Sequence, residues 1–250
     1  MRRRDAVIGQ LKGAAMIDLE PKSRRPTVQA ITLSIVQESS NLAWREKWVT
    51  RKLGLIERFG KDADMSEYDA HILIVGSIIG ALAAELWPGK YKDRQRFVEL
   101  LVAYVDPVFG TKTISVPLLK AFLLEKGWVA EAKALGERWC ESDECDFLLG
   151  IERDAEEFEI ATICPNVPRS FIRQFSYANL LYDEVQLGRE CAHGRTKGIP
   201  PNEVGYTRRP ETRRWSIYFG SDWLRVLVVS AEELSRVAEV EKSFARWWLS

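Results

Sequence analysis

The chain has 250 residues, of which 46% are hydrophobic, 10% aromatic and 29% charged, and its 36 Lys and Arg balance its 36 Asp and Glu. That composition excludes general disorder, a collagen-like repeat and a disulfide-built miniprotein, and the length suffices to bury a substantial core. With zero formal net charge, any attraction to nucleic acid must come from local clustering of cations and not from the field of the whole molecule.

Residues 1–26 carry Arg2, Arg3, Arg4, Lys12, Lys22, Arg24 and Arg25 against Asp5, Asp18 and Glu20, with Pro21 and Pro26. They read as a basic, flexible arm. The opening Met1-Arg2-Arg3-Arg4 imitates the basic end of an export signal, but Lys12 interrupts the apolar stretch that would have to follow, so no export signal is read. Cys140, Cys145, Cys164 and Cys191 are too few and too unevenly spaced for a disulfide framework. A cytoplasmic, reducing setting is therefore expected.

From Thr27 the spacing becomes helical, through Val28, Ile31, Leu33, Ile35, Val36, Leu42, Trp44, Trp48 and Leu53. Ser66 with Asp69 three residues on marks a helix start for the apolar segment Ala70 to Trp87, and Pro88-Gly89 stops it. Only Ile72 to Ala84 is free of charge, short of the roughly 20 residues that cross a bilayer. The expectation is a buried helix and no membrane span. Gly76, Gly80 and Ala84 on that helix suit a close helix crossing. A further helix is expected from Asp93 to Val105, ended by Asp106-Pro107. Pro117 opens another over Leu118 to Glu125, and one more spans Trp128 to Trp139.

Residues 131–160 hold eleven Asp and Glu against Lys133, Arg138 and Arg153, which reads as a solvated acidic face. Asp143, Glu144, Asp146 and Glu152 are the alternative, as oxygen ligands for a hard cation. Pro165 and Pro168 break the chain, and Phe171 to His193 reads as helical over most of its length. A turn-rich, basic loop follows, containing Arg195, Lys197, Arg208, Arg209, Arg213 and Arg214. Trp215 to Phe219 and Leu224 to Val229, separated by Gly220-Ser221-Asp222, are expected to form a β-hairpin. Ser230 with Glu233 caps a last helix from Ala231 to about Trp247.

The fold class expected is mainly α, a helical bundle with a small C-terminal β-hairpin. The organisation expected is the arm at 1–26, a helical domain at 27–165, and a segment at 166–250 that packs on it and holds the helix, basic loop, hairpin and last helix.

The sequence has no P-loop, no GxGxxG after a strand, no HExxH and no GxSxG. Cys140, Cys145, Cys191 and His193 could supply soft zinc ligands, yet neither pair has the CxxC spacing of a structural zinc site. No metal or cofactor is required by the reading that follows. His71 opens the apolar helix and reads as a core or helix-edge residue. His193 stands four residues after Arg189, so on a helix the two side chains share a face one turn apart. An imidazole beside a guanidinium is a working pair for RNA cleavage. The histidine moves the proton of the 2′-hydroxyl or of the leaving oxygen, and the arginine holds a phosphate whose charge rises in the transition state. The neighbouring cation favours the neutral imidazole near neutral pH, and the loop arginines add a phosphate-binding field.

The stretch Tyr182-Asp183-Glu184-Val185-Gln186-Leu187-Gly188-Arg189-Glu190-Cys191-Ala192-His193 resembles the HEPN family, helical bundles whose ribonuclease members carry an arginine, a polar neighbour and a histidine near a helix end. Glu190 stands at the polar position, and the spacing from Arg189 to His193 is shorter than the family's usual one. The resemblance implies a metal-independent endoribonuclease, assembled as a dimer and used in toxin–antitoxin or antiviral systems. It places Arg189 and His193 at the reacting centre, with Glu190 and Tyr182 in support.

Two other readings stay open. Arg189, His193 and Gly194 also satisfy the chemistry of an ordinary helix end, where cations meet exposed carbonyls and Gly takes the left-handed position. The chain could equally be a non-catalytic helical scaffold that uses its nine tryptophans to bind a protein partner or a second copy of itself, with the loop arginines paired to the acidic 131–160 region.

Overall fold

Helical spacing dominates the sequence, and helices dominate the computed structural model, which describes residues 44–55, 58, 67–89, 92–138, 147–150, 154–187, 202–208 and 214–241. In chain order these are α1 (44–55), α2 (Glu67–Leu86), α3 (Asp93–Leu100), α4 (Asp106–Phe109), α5 (Val116–Glu125), α6 (Val129–Arg138), β1 (Phe147–Leu149), α7 (Glu157–Ile163), α8 (Arg169–Arg173), α9 (Tyr177–Leu187), β2 (Val204–Arg208), β3 (Trp215–Phe219) and α10 (Ser221–Glu241). The protein is mainly helical with a small antiparallel β-hairpin near the C-terminus.

The apolar segment behaves as its spacing predicts. In α2 the side chains of Ile72, Val75, Ile78, Ile79, Leu82, Ala83 and Leu86 are buried, and Trp87 is buried just beyond its end. The chain leaves through Pro88 and Gly89, whose φ of 66° is a conformation glycine adopts freely. His71 is 2% exposed, in keeping with a core residue. No described helix is long and apolar enough to cross a membrane. Of the two glycines on α2, Gly76 is the one that makes the close crossing. A Cβ built on it would strike the branched side chain of Val185 on α9, whereas nothing lies within 4 Å of one built on Gly80.

The helix after Lys92 does not stop at Asp106-Pro107. It widens into a π-helical turn at Leu101–Val105 and continues through α4 to Phe109, ending where Gly110 turns left-handed at φ 58°. Proline is tolerated because it sits in the first turn of α4, where its missing N–H is not needed. Asp106 also anchors the exit, accepting the Lys112 N–H at 2.6 Å and pairing with Lys112 Nζ at 3.4 Å. Asp106→Ala is therefore expected to lower the unfolding free energy by about 1–2 kcal/mol in urea denaturation. Ser115 caps α5, its hydroxyl accepting the Leu118 N–H at 3.4 Å.

The C-terminal strands correct the expected pairing. Leu224–Val229 is not a strand but the start of α10, and Ser230 lies inside that helix instead of capping it. Leu224, Leu227, Val228 and Ala231 are its buried face, while Val226 and Val229 are exposed. The true partner of β3 is β2, with Val204 opposite Phe219 and Arg208 opposite Trp215, and β1 extends the sheet in the order β1-β2-β3. The segment from Phe171, expected to be helical over most of its length, is helical over most of its described part, in two helices, α8 and α9. Between α8 and α9, Ser176 pairs with Ile114, and the Phe175 carbonyl accepts the Ser115 N–H at 2.8 Å.

Two apolar clusters hold these elements. The larger gathers α2, α3, the π turn, α9, β2, β3 and α10 around Val75, Ile78, Leu101, Leu181, Phe219 and Leu227. The smaller gathers α5 to α8 around Leu119, Leu135, Ile160 and Ile172. Residues on both sides of position 165 enter each cluster.

Candidate functional site

The helix that leads toward the arginine–histidine pair is α9, described to Leu187. Arg189, Glu190 and His193 lie outside the described residues, as do Arg195, Lys197, Arg209 and Arg213 of the basic loop. Cys140, Cys145 and Cys191, and Asp143, Glu144, Asp146 and Glu152, also lie outside them. Among the described residues no group of three His, Cys, Asp or Glu is placed to hold a metal ion.

Tyr182, the supporting residue of the motif, is half-buried on α9. Its ring meets Phe97 of α3 edge-on at 5.3 Å, and the Arg94 guanidinium lies over its face at 5.4 Å. Burial, with Asp93 nearby, pushes its phenol above the usual value. It lines a cleft of about 240 Å³ together with Gly76, Asp93, Arg96, Val185 and Gln186. The small Gly76 lets α9 approach α2 at this point, so the geometry around Tyr182 depends on a residue some hundred positions away in sequence.

Of the loop arginines, Arg208 ends β2 and stacks over the Trp215 ring at 4.4 Å. Arg214 is exposed and pairs with Glu125 of α5 at 2.9 Å. The structure therefore pairs Arg214 with an acid outside the 131–160 region.

A second polar centre was not singled out in the sequence. The segment 111–115 is clasped between two neighbours. Ile114 exchanges backbone hydrogen bonds with Ala155 at 2.8 and 3.2 Å, and the Tyr177 N–H donates to Thr113 at 3.0 Å. This brings Asp154, Tyr177 and, from the middle strand, Tyr206 together. The Tyr177 hydroxyl donates to Asp154 Oδ2, the Tyr206 hydroxyl donates to the same oxygen at 2.5 Å, and Oδ1 accepts the Val116 N–H at 3.2 Å. Burial outweighs these hydrogen bonds and raises the Asp154 carboxyl from 3.8 to about 7. The phenols of Tyr177 and Tyr206 are pushed well above 10.0, chiefly by burial and then by the adjacent carboxyl.

Asp154 and Tyr177 face a cleft of about 370 Å³, lined also by Phe109, Glu156, Glu203 and Trp223. The three-membered cluster joins α5, α9 and β2 through one carboxyl, and a carboxyl that titrates near neutrality is equipped to exchange a proton with whatever occupies the cleft. No protein-family model, curated protein or solved structure matches this chain.

In the sequence Asp154 is one acid among eleven in its region, and Tyr206 lies within the turn-rich basic loop. The usable signal was chemical. A buried tyrosine needs a partner for its hydroxyl, and β2, set among turn residues, is where such a partner was hidden.

Proposed function

We propose that the chain is a HEPN-like RNA-binding protein that cleaves RNA without a metal, with Arg189 and His193 as the reacting pair. The observation that supports this reading best is the face of α9 bearing Tyr182 and Gln186, which opens on a cleft shared with Arg96 and Asp93. In the sequence Arg189 and His193 follow Tyr182 and Gln186 at steps of four, three and four residues, the spacing of one helical face. In the reaction His193 takes the proton of the RNA 2′-hydroxyl, the 2′-oxygen attacks the adjacent phosphorus as the bond to the 5′-oxygen breaks, and the imidazolium returns the proton to the leaving 5′-oxygen. Arg189 stabilises the charge that builds on the phosphoryl oxygens, and Glu190 and Tyr182 orient the pair. The products are a 2′,3′-cyclic phosphate end and a 5′-hydroxyl end. A homodimer in the cytoplasm, serving toxin or antiviral defence, fits this reading.

The experiment is incubation of mixed RNA in EDTA with the wild type and with His193→Ala, both checked for folding, followed by analysis of the product ends. Cleavage to cyclic phosphate ends that is lost in His193→Ala is the expected result. A folded wild type that leaves the RNA intact overturns the enzymatic reading.

The rival reading, a helical protein-binding scaffold, draws on Trp44, Val129 and Phe158, which are 62%, 60% and 68% exposed. Ionic strength separates the two, because a phosphate reader loses affinity steeply with salt and an apolar interface does not.

A further inference from the structure

Beside α9 runs a larger groove of about 650 Å³, between α3, α8 and the Phe122 side of α5. Its volume suits a nucleotide-sized group, and its lining sets several donor side chains beside a mostly apolar surface. Lys92, Arg94 and Arg173 supply cations, and the carboxylate present, Asp183, is already engaged by Arg94 at 2.9 and 3.0 Å. Arg173 is occupied too, held against Glu157 at 2.8 Å, so the groove's available cations are Lys92 and the outward side of Arg94.

Arg94 is set in place with unusual care for a side chain that is 42% exposed. Its Nε donates to Asn179 Oδ1 at 3.1 Å. Asn179 is itself buried, donating to the Arg173 carbonyl at 3.0 Å and to Ser176 Oγ at 3.2 Å. The guanidinium plane also rests over Tyr182. A guanidinium carries five N–H donors. Among the described residues Asn179 and Asp183 take three, and the guanidinium is a group whose ordering entropy has already been lost on folding. Lys92 is exposed at the start of α3 and makes no ion pair among the described residues. The rings of Phe122 and Phe175, 5.1 Å apart and tilted, supply an apolar wall to the same groove.

A fixed arginine and an exposed lysine beside aromatic rings are the chemistry of a single-strand nucleic-acid path, where cations take the phosphates and rings take the bases. We propose that this groove binds a single-stranded RNA segment, with a phosphate at Lys92 and Arg94 and a base against Phe122 and Phe175. The inference rests on the RNA reading above and adds to it the route by which substrate reaches α9.

The test measures binding of a fluorescent oligouridine by the full chain carrying His193→Ala, which keeps the probe intact, across a series of salt concentrations. Lys92→Glu, at an exposed position, is expected to weaken binding about tenfold or more at low salt, and Lys92→Ala to reduce the salt slope by about one phosphate contact. Melting curves confirm that both variants fold. If the parent binds and both Lys92 variants bind equally well, the groove is overturned while RNA binding stands, and replacing Arg208, Arg209, Arg213 and Arg214 with Ala then locates the binding in the loop. If the parent itself fails to bind, the RNA reading falls and the groove assignment with it.

Discussion

Stability is expected to decline as pH rises from about 4 to about 7, and Asp154 is the reason. Its carboxyl titrates at 3.8 in a solvated chain and at about 7 in the fold, so between those values the folded state binds a proton that the unfolded state has released. Stability falls with pH wherever the folded state holds more protons. The contribution is fully present below 3.8 and is lost as pH passes through about 7. At about 1.4 kcal/mol per tenfold change in proton affinity, the loss is up to roughly 4 kcal/mol. Asp154→Asn isolates it, since the amide cannot ionise and retains an oxygen for the Val116 N–H. The difference in unfolding free energy between Asp154→Asn and wild type, followed by urea denaturation from pH 4 to 8, is expected to shift in favour of the variant as pH rises. A difference that stays constant over that range would sink the assignment.

The second large effect comes from one methyl group. Gly76→Ala places a Cβ inside the van der Waals envelope of Val185, whose own Cβ would stand 2.9 Å away. Val185 is β-branched and on a helix has little rotamer freedom with which to retreat. Overpacking of this kind costs about 1–3 kcal/mol, partly offset by the better helix propensity of alanine. Gly80→Ala one turn along meets nothing within 4 Å and should be neutral or stabilising by up to about 1 kcal/mol. Opposite changes in melting temperature for the two variants are the expected signature, and equal changes would mean that α2 and α9 do not cross at Gly76. Because the same crossing shapes the cleft at Tyr182, Gly76→Ala should also depress any cleavage activity, whereas Gly80→Ala should not.

How far the sequence could be read depended on whether a signal was local. The limits of α2 were legible because proline and glycine follow an unbroken apolar face, and the start of α5 because Pro117 marks a first turn. Leu224–Val229 misled because three valines interspersed with leucines resemble a strand. Its burial at positions 224, 227, 228 and 231 shows helical spacing, which a wider window would have caught. The break between α8 and α9 could not be seen, since it exists to let Ile114 pair with Ser176, sixty-odd residues away. The same holds for Asp154, Tyr177 and Tyr206. Nothing in their separate neighbourhoods announces that three polar groups will converge, because the convergence is a product of tertiary packing. Of the motif residues, Tyr182 falls on the helix its spacing requires.

The two apolar clusters differ in how much of the chain each must recruit. The buried members of the smaller one all lie between Ile114 and Ile172, whereas those of the larger one run from Val49 to Ala231. Closing short loops is entropically easier than closing long ones, and topologies dominated by distant contacts form more slowly. The α5 to α8 layer is thus the natural early foldon, able to condense while the remainder of the polypeptide is still searching. It would then offer the 111–115 segment as a template on which Tyr177 and the start of α9 dock, so that the helix carrying Tyr182 is among the later pieces to be secured.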